Sequence, residues 1–241
     1  MRPDLERKAT DLERVLARVA LEHAPAALAS SLSAEDMVIT DAILRRKLEI
    51  EIFTLDTERL HADTLSVITA IRERYGYEVR VFRPDPAAVA EYVARFGRDA
   101  FYESVDLRKR CCHIRKVEPL ERALAGKEAW ITGQRRAQAA TRARLELQEY
   151  DAVHGIVKFN PLADWSEKEV WEVIRELRVP YNALHDQGYR SIGCAPCTRP
   201  TVAGEDVRAG RWWWEIEEAQ ECGLHVGPDG RLARSKTEAV T

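Results

Sequence analysis

The sequence predicts an α/β protein, a mainly parallel sheet with flanking helices. Two observations carry that expectation. Short strand-like apolar runs alternate along the chain with longer runs of helical period, as happens when each strand returns to one sheet through a helix. The 241 residues also suit one large domain, or one domain with an appended segment.

The elements follow in order. Residues 1–25 read as an N-terminal helical segment rich in Arg, Glu and Asp. Ala26-Ala27-Leu28-Ala29 is a short apolar run, weak by itself as a strand, that leads through Ser30-Ser31-Leu32-Ser33 into a helix over Ala34–Lys47. Ile50–Leu55 reads as the second strand, ending at Asp56-Thr57. Ala62–Tyr75 is expected to be helical, with Leu65, Ile68 and Ile71 on one face and Gly76 as its stop. Glu78–Phe82 is a third strand, and Pro84-Asp85-Pro86 turns into the next helix. Glu128–Thr132 gives another strand, reaching Gly133, and Gly155–Phe159 the last. Ser166 and Glu169 form a capping box opening a helix with Val170, Val173, Ile174 and Leu177, closed before Pro180. Asn182–Thr201 reads as an ordered loop. The domain expectation is therefore 1–25 helical, 26–201 the main α/β domain, 202–226 a C-terminal segment and 227–241 a frayed polar tail.

The bulk properties exclude several classes. No apolar signal region is seen near the start, and no stretch nears the roughly 20 apolar residues of a membrane span. A cytoplasmic protein with free thiols is expected, without a membrane partner. The formal charge of −3 argues against a generally basic nucleic-acid binder. Basic residues are concentrated instead: Arg108, Lys109, Arg110, Arg115 and Lys116 surround a cysteine pair, and Arg135, Arg136, Arg142 and Arg144 follow. That grouping favours a pocket for a small anion over a merely solvated helix face.

Five cysteines carry the chemistry: Cys111-Cys112, Cys194-Ala-Pro-Cys197, and Cys222 alone with His225 three residues on. A thioredoxin-type pair at Cys194 and Cys197 is disfavoured, because Pro200 opposes a helix continuing through that point. Four thiolates suit tetrahedral zinc. Zinc cages usually take two well-spaced pairs, however, whereas adjacent Cys111 and Cys112 can each take a different iron of a cubane. The pattern leans toward [4Fe–4S], with zinc and unrelated buried cysteines as the competing readings. Cys222 as a lone thiol is either a small buried hydrophobe or a nucleophile. The serines at the first strand–helix turn are helix caps or, with backbone N–H groups, an anion site.

At this point a family resemblance emerges. Ser30–Asp36, Thr54-Leu55-Asp56-Thr57, Cys111-Cys112 and Thr132-Gly133-Gln134-Arg135-Arg136 occur in order, then Lys158-Phe159-Asn160-Pro161-Leu162 and Cys194–Pro200. Arg211-Trp212-Trp213-Trp214-Glu215 and Glu221-Cys222-Gly223-Leu224-His225 complete the series. The chain closely resembles the bacterial, thioredoxin-dependent, assimilatory adenylyl-sulfate reductases over roughly residues 26 to 226. Relatives acting on 3′-phosphoadenylyl sulfate keep the terminal Cys but lack the four-cysteine set, so the resemblance implies the substrate without the 3′-phosphate.

The resemblance further implies an adenine nucleotide alpha hydrolase-like fold with a mobile C-terminal segment, and a [4Fe–4S] cluster on Cys111, Cys112, Cys194 and Cys197. It implies that Cys222 attacks the sulfate sulfur, expels AMP and carries a thiosulfonate that reduced thioredoxin, or glutaredoxin, releases as sulfite. This is the chemistry of assimilatory sulfate reduction and cysteine biosynthesis. Lys116, Arg142, Arg208 and Arg211 match anion-contacting positions, where cations offset the approach of one anion to another. Ser30, Ser31, Ser33, Leu55 and Gly133 match nucleotide-binding loops, and His225 matches a position on the C-terminal segment. Ser33 stands where many relatives have Gly. The Trp212–Trp214 run is expected to pack the tail. Whether the chain forms a homo-oligomer stays open. The competing enzyme class on this fold, ATP-using tRNA-thiolating enzymes, has a Ser-Gly-Gly-x-Asp-Ser loop that is absent here. A non-catalytic zinc or cluster protein would leave Cys222 without a purpose.

Overall fold

The computed structural model describes residues 2–139 and 142–215. Its centre is a six-stranded sheet: β1 (Ala26–Ala29), β2 (Ile50–Leu55), β3 (Arg80–Phe82), β4 (Ala129–Ile131), β5 (Gln148–Asp151) and β6 (Ile156–Phe159). The strand order is β3-β2-β1-β4-β6-β5, parallel throughout except for β5 against β6. The antiparallel edge strand is an addition to the expected elements. Its residues Gln-Glu-Tyr-Asp lack the apolar run that marks the buried strands, because an edge needs only one covered side.

Alternation along the strands builds two cores, since successive side chains point to opposite faces. Ala26, Leu28, Ile50, Ile52, Ala129 and Ile131 pack with α1 (Pro3–Glu22), α2 (Ala34–Arg45) and α7 (Glu167–Leu177). Ala27, Phe53, Phe82 and Trp130 pack on the other face against Leu120, Ala123 and Leu124 of α6 (Glu118–Leu124). The N-terminal helix is no detached segment, for Leu5, Leu12, Leu16 and Val19 all sit in the first core.

In α3 (Ala62–Tyr75) the buried residues are Thr64, Val67 and Ile71, while Leu65 is exposed. Of the expected stripe, Ile71 is buried and Ile68 is half-buried against the first core, so only Leu65 departs from it. Thr64 is buried because its hydroxyl accepts from the Asn182 amide at 2.9 Å, tying α3 to the loop after α7. Gly76 ends the helix with φ of 65°, which glycine tolerates at no steric cost. The capping box at Ser166 and Glu169 is present, with the Ser166 hydroxyl accepting from the Glu169 N–H. After β3 come α4 (Pro86–Phe96) and α5 (Val105–Cys112). The chain then widens into a π-helical turn over His113–Val117 before α6. Pro119 has no N–H for the ordinary helical bond, which accounts for the adjustment. Among the described residues no helix is long and apolar enough to cross a membrane.

Candidate active site at the switch point of the sheet

From β1 the chain winds outward to β2 and β3 on one side, while β4 lies on the other. Loops leaving the carboxyl ends of β1 and β4 therefore part and leave a crevice, the usual ligand position in open α/β sheets. A cavity of about 220 Å³ opens there. Ser30, Ser31, Ser33, Leu55, Lys116, Gly133, Arg142, Arg208 and Arg211 all line it. These are all the binding residues expected from the sequence that fall in the described part of the chain. Cys222, His225 and the tail at 227–241 lie outside the described residues.

The two loops are fastened to each other by Asp36, on the first turn of α2. Its carboxylate accepts from the Ser31 N–H at 2.7 Å and the Ser31 hydroxyl at 2.6 Å, and also from the Gly133 N–H. A Cβ on Gly133 would lie 2.3 Å from Asp36 Oδ1, so only glycine allows this approach. Burial pushes the Asp36 carboxyl up to about 6, against the lowering effect of the Ser31 hydrogen bonds. Leu32, between the serines, is fully buried with φ of 62°. That conformation is costly for a non-glycine residue and is held by the packing around it.

Behind β4, Arg135 is 2% exposed and pairs with Glu35 at 2.7 Å while donating to the Trp165 carbonyl. Gln138 donates to the same Glu35 and accepts from Arg142 Nη1 at 2.6 Å. Arg142 is thereby positioned at the cavity wall. The Thr132 hydroxyl donates to Asn160 Oδ1 at 2.6 Å, and the Asn160 amide donates to Glu146 O and Glu149 Oε1. Glu149 in turn pairs with buried Lys158 at 2.9 Å. The Lys158–Leu162 segment thus supports the floor of the β4 loop.

The cysteines adjoin this cavity. Cys194 and Cys197 are buried with Phe101 and Trp212, and Cys111 packs against them. Cys111, Cys112, Cys194 and Cys197 are all free thiols. Burial raises the Cys111 thiol, opposed by the Arg115 guanidinium. Burial and then Cys194 push Cys197 up to about 12, opposed by Lys116 and Arg211. Thr57 Oγ1 lies 3.1 Å from Cys194 Sγ. Arg108, fully buried, hydrogen-bonds Cys112, holds Glu215 through two contacts of 2.8 Å and stacks on Trp212 at 4.7 Å. Trp212 therefore packs on the cysteine region. Gly193 permits the Arg211 guanidinium to lie across its backbone, where a Cβ would meet Nη2 at 2.5 Å. Among the described residues, no group of three or more His, Cys, Asp or Glu side chains is placed to hold a metal ion. The donor set itself, four soft thiols beside four guanidinium or ammonium groups, suits an iron–sulfur cluster, whose corners lie apart.

Sequence reasoning did not single out Asp36, Thr57 or Gln134 as site residues, and it placed Arg108 and Arg115 in an anion pocket, whereas they hold Glu215 and the Thr57 carbonyl. Each lies within a motif or basic run already noted, and that was the available signal.

Comparison with known proteins agrees with this geometry. Residues 25–200 match the model of the phosphoadenosine phosphosulfate reductase domain. An adenosine 5′-phosphosulfate reductase of Burkholderia cepacia is 56% identical over 224 residues, spanning 93% of this chain and 90% of that protein. The phosphate complex of phosphoadenylyl-sulfate reductase from Candida auris matches with a TM-score of 0.68 at 25% identity, over 83% of this chain and 98% of that one. The Candida glabrata FMN adenylyltransferase solved with ATP matches with a TM-score of 0.57 at 12% identity, over 90% of this chain and 74% of that one, a likeness of fold alone. The two structures bear out the expected adenine nucleotide alpha hydrolase-like architecture.

Proposed function

The chain belongs to the phosphoadenosine phosphosulfate reductase family, and from that premise we propose that it reduces adenylyl sulfate to sulfite and AMP with thioredoxin as electron donor. One observation carries the reading. A single cavity joins the serine loop and Gly133 to Lys116, Arg142, Arg208 and Arg211, and two of those cations also act on Cys197. The high identity to proteins named for the substrate without a 3′-phosphate supports that choice of substrate, as does the presence of all four paired cysteines.

In this mechanism the Cys222 thiolate attacks the sulfate sulfur and the sulfur–oxygen bond to AMP breaks. AMP leaves with the bonding electron pair, and Cys222 carries an S-sulfonate. A thiolate of reduced thioredoxin then attacks Cys222 Sγ, and sulfite departs with the electrons of the sulfur–sulfur bond. The second thioredoxin thiol resolves the mixed disulfide and restores Cys222, so two electrons pass from the dithiol to the sulfonyl sulfur. Lys116, Arg142, Arg208 and Arg211 clamp the phosphosulfate and offset the charge that passes to AMP. The serine loop and Gly133 hold the nucleotide, and His225 assists on the C-terminal segment at 202–226. Cys111, Cys112, Cys194 and Cys197 would hold a [4Fe–4S] cluster, which supplies structural and electrostatic support with no electron transfer.

The test is the anaerobic intact mass after incubation with adenylyl sulfate, and in parallel with its 3′-phosphorylated form, without reductant. A sulfonate mapping to Cys222 and released as sulfite by thioredoxin is the expected result. No adduct from either nucleotide, with the cluster verified intact, would refute the reading.

A further inference from the structure

Arg108 stands one turn before Cys112 on α5, so the two side chains share a face of the helix, and its guanidinium hydrogen-bonds Cys112. The same group holds both carboxylate oxygens of Glu215, through Nε and Nη2 at 2.8 Å each. Arg108 is fully buried, and the Glu215 side chain is 4% exposed. A pair this deep adds little net stability, because desolvating both charges costs about as much as their attraction returns. Its place in the fold points to another use. The Glu215 N–H donates to the Trp212 carbonyl at 2.8 Å, and the Trp212 N–H to the Cys197 carbonyl at 3.2 Å. Arg108 also stacks on the Trp212 ring at 4.7 Å. These contacts form a circuit from Cys112 through Arg108, Glu215 and Trp212 to Cys197, joining one cysteine pair to the other. Cys222 stands seven residues beyond Glu215 in the chain.

The junction suits an arginine. A guanidinium sets several N–H donors in one rigid plane, so it can serve Glu215 and Cys112 at once, and the hold of one partner fixes the orientation offered to the other. A cysteine bound to iron is a thiolate, and a cationic donor bonds a thiolate more strongly than a thiol. Occupied cysteines therefore hold the guanidinium, and through it Glu215, more firmly than empty ones. We propose that Arg108 is a positioning residue that couples occupation of the four cysteines to the hold on Glu215, from which the chain runs on to Cys222. The inference rests on the proposed cluster-bearing reductase and deepens it. Neither Arg108 nor Glu215 lines the substrate cavity.

The experiment is amide hydrogen exchange, read residue by residue without oxygen, on the cluster-loaded and the cluster-free protein. Amides of β1 and β4 serve as the internal standard for the fold. In the wild type, loading should slow exchange of the Glu215 N–H by about 5–150-fold, the usual span of coupling between two sites. The comparison variant is Arg108→Met with Glu215→Leu, which removes both charges together and so keeps the fold, as urea unfolding checks. There the amide at position 215 should lose the response, whereas Trp212, which donates to Cys197 directly, should keep its own. A chelator should also draw iron from this variant about 10–100-fold faster, as when other partners of metal ligands are removed. A purely structural pair would move neither readout once stability is matched. Arg108→Lys keeps the charge without the planar fork and should lose the coupling in the same way, so the test stands even if the double variant does not fold.

A Glu215 amide that exchanges at one rate with and without the cluster overturns the inference. So does a variant whose position 215 responds to loading as the wild type does. Failure of the enzymatic reading is separately visible. Coupling in a wild type that forms no Cys222 adduct with adenylyl sulfate keeps the inference and loses the reductase. A wild type that takes up no iron and sulfide refutes the cluster reading and the inference together.

Discussion

Asp36 offers a perturbation whose magnitude can be worked through. It is 5% exposed, and its carboxyl sits at about 6 against an ordinary 3.8, chiefly because burial penalises the charged form, with the Glu35 charge adding to it. A carboxyl raised in the folded state binds its proton more tightly there than in the unfolded chain. Stability therefore falls as pH rises through the window between the two values, and the penalty is fully present above about 6. A shift of about two units corresponds to about 3 kcal/mol in total, of which about 1.4 kcal/mol falls between about pH 5 and about pH 8. Asp36→Asn removes the titration and keeps an oxygen for Ser31, but turns an amide N–H₂ toward the Gly133 N–H. The variant is expected to be less stable than the wild type at pH 5, with the deficit shrinking by about 1.4 kcal/mol by pH 8. Urea unfolding of both proteins across that range measures the difference. A deficit independent of pH would show that Asp36 is not raised in the fold, and the account of its burial would be wrong.

Three other expectations rest on separate parts of the structure. Arg108→Met leaves Glu215 buried and unpaired, which should cost about 3–5 kcal/mol in urea unfolding, and adding Glu215→Leu should recover most of it; a loss that the second change deepens would refute the pairing argument. Asn160→Leu removes the acceptor of the buried Thr132 hydroxyl and a donor to the Glu146 carbonyl, so a loss of about 1–3 kcal/mol in stability should accompany weaker AMP binding; full AMP affinity would show that Asn160 does not support the β4 loop. Lys116→Ala should slow Cys222 sulfonation in single-turnover mass measurements by about 10²–10³-fold, with a smaller change in AMP affinity; an unchanged rate would remove Lys116 from the phosphosulfate clamp.

The expected parallel strands, the Ser166 capping box and the Gly76 stop were legible from the chain alone because they depend on neighbours within a turn or two. Periodicity, caps and φ preferences act over a few residues, and the paired cysteines stand at spacings that chemistry itself constrains. The outward turn of Leu65 on α3 was misjudged for the converse reason. Thr64 is drawn inward by Asn182, more than a hundred residues away, and no local propensity records that bond. The polar edge strand β5 likewise exists through pairing with β6.

Within the site, sequence determined that serines, cysteines and cations would be present in quantity. Tertiary structure decided their employment. Of the basic residues around the cysteine pair, Arg108 went to Glu215 and Arg115 to the Thr57 carbonyl, while Lys116 went to the cavity. Asp36 became the clasp between two loops. These assignments depend on which surfaces the sheet order brings together, and burial then makes each pairing or orphaning energetically decisive. A single chain of residue types carries neither the meeting nor the desolvation, because both arise only when distant segments exclude water from one another.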